Sequence, residues 1–123
     1  MDGELISIVI IEDDAGLCRA MERLFRLSGF VTRSFHSAED AGMSQYVASA
    51  HCLVVDIQLP GASGPAFYGT LHAPRPPIVF ITAFDAPATR HAVASAGNHA
   101  LLAKPFLGAA LLKAVDEAMR RND

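Results

Sequence analysis

A strict alternation of short aliphatic runs with longer amphipathic stretches, repeated five times, constrains this chain more than any other feature. Residues 6–11 are almost entirely β-branched and read as a strand buried on both faces. Residues 30–35 alternate like a short strand. Residues 52–55, 78–81 and 100–103 are three further aliphatic blocks. Each block is followed by a helical pattern. The first carries a stripe of Leu17, Met21, Leu24, Phe25 and Leu27 and closes at Gly29. The second begins at a Ser37-Ala38-Glu39-Asp40 N-cap, is weakened by Gly42 and Ser44, and fades near Ser49. Gly64-Pro65 opens a third, halted by Pro74, Pro76 and Pro77. Residues 87–96 form a small Ala-rich helix. Residues 106–121 form the last, with Leu107, Leu111, Val115 and Ala118 inside. Ala109, Leu112 and Met119 give that last helix an outer side more apolar than solvation requires.

Strand–helix units of this size predict an α/β fold: a doubly wound, five-stranded parallel sheet with helices on both faces. The order 2-1-3-4-5 is common for five such strands, and ligands then bind beyond the carboxyl ends at the switch point. The residues that terminate the blocks therefore matter most. Strand 1 stops at Glu12-Asp13-Asp14, strand 3 at Asp56, strand 4 at Thr82 and strand 5 at Lys104. Asp56 is the one charged side chain between Asp40 and Arg75. Taken alone it reads as a structural aspartate capping the next turn. Thr82 alone reads as a turn residue, and Lys104 alone as a snorkelling lysine.

Converging carboxylates repel unless a cation sits among them, and an oxygen-only ligand set suits a hard ion, Mg²⁺ before Mn²⁺ or Ca²⁺. Magnesium commonly joins carboxylates to a phosphoryl group, so phosphate chemistry is implied. Asp56 is then placed as a nucleophile forming an acyl phosphate, with the Thr82 hydroxyl and Lys104 ammonium facing phosphoryl oxygens.

At 123 residues a single domain over residues 1–123 is expected. Net charge of −3 leaves no electrostatic footprint for nucleic acid. The acidic start Met1-Asp2-Gly3-Glu4 is unlike a signal peptide, and no apolar run reaches membrane-spanning length, so a soluble, cytoplasmic protein is expected. Cys18 and Cys52, each among apolar neighbours, read as reduced core thiols.

Four segments carry a family resemblance over nearly the whole chain: Val9-Ile10-Ile11-Glu12-Asp13-Asp14, residues 56–64 (DIQLPGASG), Ile81-Thr82-Ala83 and Lys104-Pro105-Phe106. The chain resembles the receiver (phosphoacceptor) domain of two-component response regulators, with its CheY-like, flavodoxin-like fold. That resemblance implies phosphotransfer from a sensor histidine kinase to Asp56, with Mg²⁺ held by Asp13, Asp56 and the Gln58 carbonyl and by Glu12 through metal-bound water. It implies a cis Lys104–Pro105 bond and no enzymatic activity beyond autocatalysed phosphorylation and dephosphorylation. It also implies a downstream protein or a DNA-binding output domain as partner. A homodimer through the last helices is a further candidate arrangement. One departure stands out: the usual strand-5 aromatic switch residue aligns with Leu101. The alternatives are a pseudo-receiver that signals by contact without phosphorylation, or a haloacid-dehalogenase-type aspartyl-phosphate phosphatase. The latter would want its nucleophile on strand 1 and a second aspartate two residues on, where Gln58 stands after Asp56. A flavin binder of the same topology would want a Ser/Thr/Gly-rich loop in place of Glu12-Asp13-Asp14.

Overall fold

The computed structural model describes residues 5–40, 42–97 and 99–121. The acidic start at residues 1–4, Ala41 of the second predicted helix, Asn98 and residues 122–123 lie outside them. The elements in order are β1 (Ser7–Ile11), α1 (Ala15–Leu27), β2 (Val31–Phe35), α2 (Met43–Ala48) and β3 (Cys52–Asp56). There follow α3 (Gly64–Gly69), β4 (Ile78–Thr82), α4 (Pro87–Ser95), β5 (Ala100–Ala103) and α5 (Gly108–Arg121). The strands form one sheet in the order β2-β1-β3-β4-β5 with every pairing parallel, as expected.

Side chains alternate across a strand, so each aliphatic run feeds two cores. Ile8, Ile10, Cys52, Val54, Val79 and Ile81 face α1 and α5, where Cys18, Met21, Phe25, Leu111 and Val115 complete the packing. Val9, Ile11, Leu53, Val55, Ile78 and Phe80 face α2, α3 and α4, meeting Met43, Val47, Phe67, Tyr68 and Val93. All five residues of β3 and of β4 are buried. Each fully buried Ile or Phe contributes roughly 1.5–3 kcal/mol, so the central strands are the stable base on which the rim is built. The two cysteines are buried free thiols, and burial pushes Cys52 up to about 12.

Four expectations need correction. Leu27 is 77% exposed, while Cys18, Met21 and Phe25 form the buried stripe of α1. Position 27 lies two residues past Phe25, nearly opposite it around a helix. Leu107 is likewise 78% exposed. It precedes α5, its carbonyl accepting from the Ala110 and Leu111 amides, and Ala114 takes the inner place. The second helix begins at Met43, not Ser37. The Ser37 hydroxyl accepts from the Glu39 amide and the Asp40 carboxylate from the His36 amide. These side chains satisfy a turn instead of a helix end, and Gly42 at φ 81° cannot sit within a helix. Finally, Leu112 and Met119 are half-buried against the α1 side, leaving Ala109 alone exposed of the expected outer trio.

Candidate functional site

Register assembles the site. Ile11 pairs with Val55, so Glu12 comes level with Asp56 one step beyond. Thr82 pairs with Ala103, so Lys104 is the first residue past the end of β5. Alternation then sorts the side chains. Glu12, Asp56 and Lys104 each stand two residues after a member of the α1/α5 core (Ile10, Val54, Leu102), whereas Thr82 stands two after Phe80 of the other core. The acids and the lysine share one side of the sheet, and Thr82 belongs to the other.

Distances bear this out. Lys104 Nζ donates to Asp56 Oδ2 at 2.8 Å and lies 2.8 Å from Glu12 Oε1. Asp56 Oδ1 accepts from the Gln58 amide at 2.8 Å, and Glu12 Oε2 from the Asp14 amide at 3.0 Å. Asp14 serves as N-cap of α1, accepting from the Leu17 amide at 3.1 Å. Glu12, Asp56 and Thr82 are the buried polar side chains among the described residues. Burial pushes the Glu12 carboxyl up to about 7, aided by the Asp56 charge, while Lys104 and the Asp14 amide hold it back. Burial also works against the Lys104 charge, but its hydrogen bond to Asp56 and its ion pair with Glu12 outweigh that and raise its pKa.

One oxygen from each of Glu12, Asp13 and Asp56 fits within a 4.8 Å cluster that could hold a metal ion. The donor set is all oxygen, as a hard cation requires. Glu12 Oε1 adds a second indication. It is buried and, among the described residues, is the one such side-chain oxygen without a hydrogen-bond partner. The nearby ammonium is its counter-ion but is out of line for a hydrogen bond. Exposed Asp13 opens the cluster to solvent.

Thr82 is brought to the rim but its hydroxyl is turned elsewhere. Oγ1 lies 3.2 Å from Gln58 Oε1 and 3.1 Å from the Phe84 carbonyl, donating its one proton between them, and accepts from the Phe84 amide at 3.0 Å. The Lys104–Pro105 peptide is cis. Leu101 is half-buried against the α2–α4 core. Two supports had not been read from the sequence. The Ser63 hydroxyl accepts from the Ala66 amide as N-cap of α3. Gly64 sits so close to β3 that a Cβ there would come 2.5 Å from the Asp56 carbonyl oxygen. A Ser-Gly-Pro at a helix start was the available signal for both.

A family model described as the response regulator receiver domain matches residues 8–116. The chain belongs to that family. This receiver domain is 36% identical over 121 residues to Nodulation protein W of Bradyrhizobium diazoefficiens, covering 94% of this chain and 52% of that one. It is 31% identical over 119 residues to the C4-dicarboxylate transport transcriptional regulatory protein DctD of Rhizobium meliloti, covering 94% and 26%. The chain thus spans about half the length, or less, of these curated relatives. A CheY-like receiver domain protein from Methanospirillum hungatei shares the fold, with a TM-score of 0.86 at 20% identity and 97% coverage of both chains. The BeF3-activated DrrB receiver domain does so at TM-score 0.83 and 20% identity, covering 96% of this chain and all of that one. No helix among the described residues is long and apolar enough to cross a membrane.

Proposed function

We propose that Asp56 accepts a phosphoryl group from a phosphohistidine of a sensor histidine kinase, in a Mg²⁺-dependent step that changes what the domain binds. The observation that carries this reading is the Glu12–Lys104–Asp56 cluster: a buried carboxylate held in place by one ammonium and one backbone amide. A carboxylate oxygen of Asp56 attacks phosphorus, the P–N bond breaks, and the imidazole leaves with the bonding electron pair. Lys104, already beside Asp56 Oδ2, follows the charge as it moves onto the phosphoryl oxygens. Gln58 N–H fixes the orientation of the attacking carboxylate. Asp13, Asp56 and the Gln58 carbonyl would hold Mg²⁺, with Glu12 acting through its water. When bound, the ion neutralises charge shared by carboxylates and phosphoryl group.

The domain so read is no enzyme toward other substrates and works in the cytoplasm with its kinase. Its output passes to a downstream protein or a DNA-binding module, as the transcriptional role named for DctD suggests. Leu101 is the observation behind a contact-only pseudo-receiver, and the full acid set with Lys104 weighs against it. Incubation with acetyl phosphate and Mg²⁺, followed by intact mass, tests the proposal. One phosphoryl adduct is expected on the parent and none on Asp56→Ala. No adduct on the parent, or an equal adduct on the variant, refutes it.

A further inference from the structure

We infer that Gln58 is a positioning residue that latches Thr82 in the resting state and thereby sets how readily a phosphoryl group on Asp56 is registered. The inference rests on the function proposed above. Gln58 reaches both partners at once: its amide N–H donates to Asp56 Oδ1 at 2.8 Å, and its side-chain Oε1 lies 3.2 Å from Thr82 Oγ1. Thr82 is fully buried, while Gln58 is exposed. The Thr82 hydroxyl has one proton to give, and at rest Gln58 Oε1 and the Phe84 carbonyl take it. Its oxygen is fixed by the Phe84 amide. A phosphoryl group on Asp56 brings new acceptor oxygens, and the proton can reach them only by leaving Gln58 and Phe84. The Phe84 contacts lie within the β4–α4 segment, two residues from Thr82. Gln58 is the tie that crosses from the β3–α3 segment, and among the described residues it alone links the acceptor's own loop to the hydroxyl.

A neutral hydrogen bond that must be surrendered handicaps the switched state by about two- to tenfold. The Phe84 carbonyl remains as a second acceptor, which puts the expected effect near the lower end, about threefold. The experiment measures beryllofluoride binding at saturating Mg²⁺ to the parent, Gln58→Ala, Thr82→Val and the double variant. Gln58→Ala should bind about threefold more tightly than the parent, and the gain should vanish in the Thr82→Val background. Gln58→Asn, one methylene shorter, should reproduce it. An unchanged affinity, or an equal gain in both backgrounds, overturns the latch. If the parent binds no beryllofluoride the proposed function fails, and the latch is judged on the unliganded protein. There, three-bond couplings to the Thr82 methyl should show a second χ1 rotamer in Gln58→Ala, and couplings identical to the parent overturn it.

Discussion

The two glycines that bracket α3 should respond in opposite directions to the same substitution. At Gly64 a methyl group would lie 2.5 Å from the Asp56 carbonyl oxygen and 3.2 Å from both the Asp56 carbonyl carbon and Val55 Cγ1. Ordinary contact begins near 3.4 Å, so the closest approach is short by about 0.9 Å. The obstructing oxygen belongs to the backbone of a fully buried strand and cannot swing aside. Relief must come from α3 backing away, which stretches the 2.9 Å bond from the Gly64 amide to the Ile57 carbonyl. Overpacking of this kind costs about 1–3 kcal/mol. With about 2.1 cal/mol/K of unfolding entropy per residue, 1 kcal/mol is worth roughly 4 °C in a chain of 123 residues. Gly64→Ala should therefore melt about 4–12 °C lower, and its acetyl phosphate labelling should slow because the strain falls on Asp56. At Gly69 nothing lies within 4 Å of an added Cβ and φ is not positive. Restricting the unfolded chain there should raise stability by about 0.5–1 kcal/mol, or roughly 2–4 °C. Thermal unfolding followed by circular dichroism in chelator reads both. A Gly64→Ala protein as stable as the parent would show that the close packing of α3 onto β3 is not a constraint.

Metal-free stability should fall as pH rises from 5 to 8. Glu12 titrates near 7 in the folded chain against 4.5 ordinarily, so folding binds a proton in that window, and the contribution present below 4.5 is lost above 7. The loss should be on the order of 3 kcal/mol, and Glu12→Gln should lack it; parallel pH profiles for the two proteins would contradict the assignment. Lys104→Met removes the counter-ion of two buried acids and should cost about 3–5 kcal/mol at pH 8. The cost should be smaller at pH 5, where Glu12 is protonated, and urea unfolding giving equal losses at both pH values would argue against the coupling. Asp13→Ala, at an exposed site, should leave folding intact and weaken Mg²⁺ binding by on the order of 1 kcal/mol or more, and an unchanged dissociation constant would remove Asp13 from the ligand set.

The sheet and the rim were legible because strands buried on both faces are written as unbroken aliphatic runs. A charge or hydroxyl at the end of such a run stands out, as Glu12, Asp56, Thr82 and Lys104 do. Helix phase was harder. One or two residues at a boundary decide whether Leu27 or Leu107 falls inside, and neither local propensity nor hydrophobicity fixes that boundary. The start of α2 was misread because Ser37 and Asp40 look the same whether they cap a helix or close a turn. The Gln58–Thr82 contact was invisible for a different reason. It joins residues 24 apart across two loops, and no spacing rule along the chain encodes it.

The alternation of side chains across β4 has one more implication. Thr82 reaches the rim from the Gln58 side of the sheet rather than from that of Glu12 and Asp56 because of its place in the alternation of β4. One residue inserted into that strand would slip the pleat, turn the hydroxyl toward Lys104 and send the aliphatic partner of each core to the wrong side. The strands carry a count that cannot change by one. In this chain parity, as much as residue identity, is the inherited instruction.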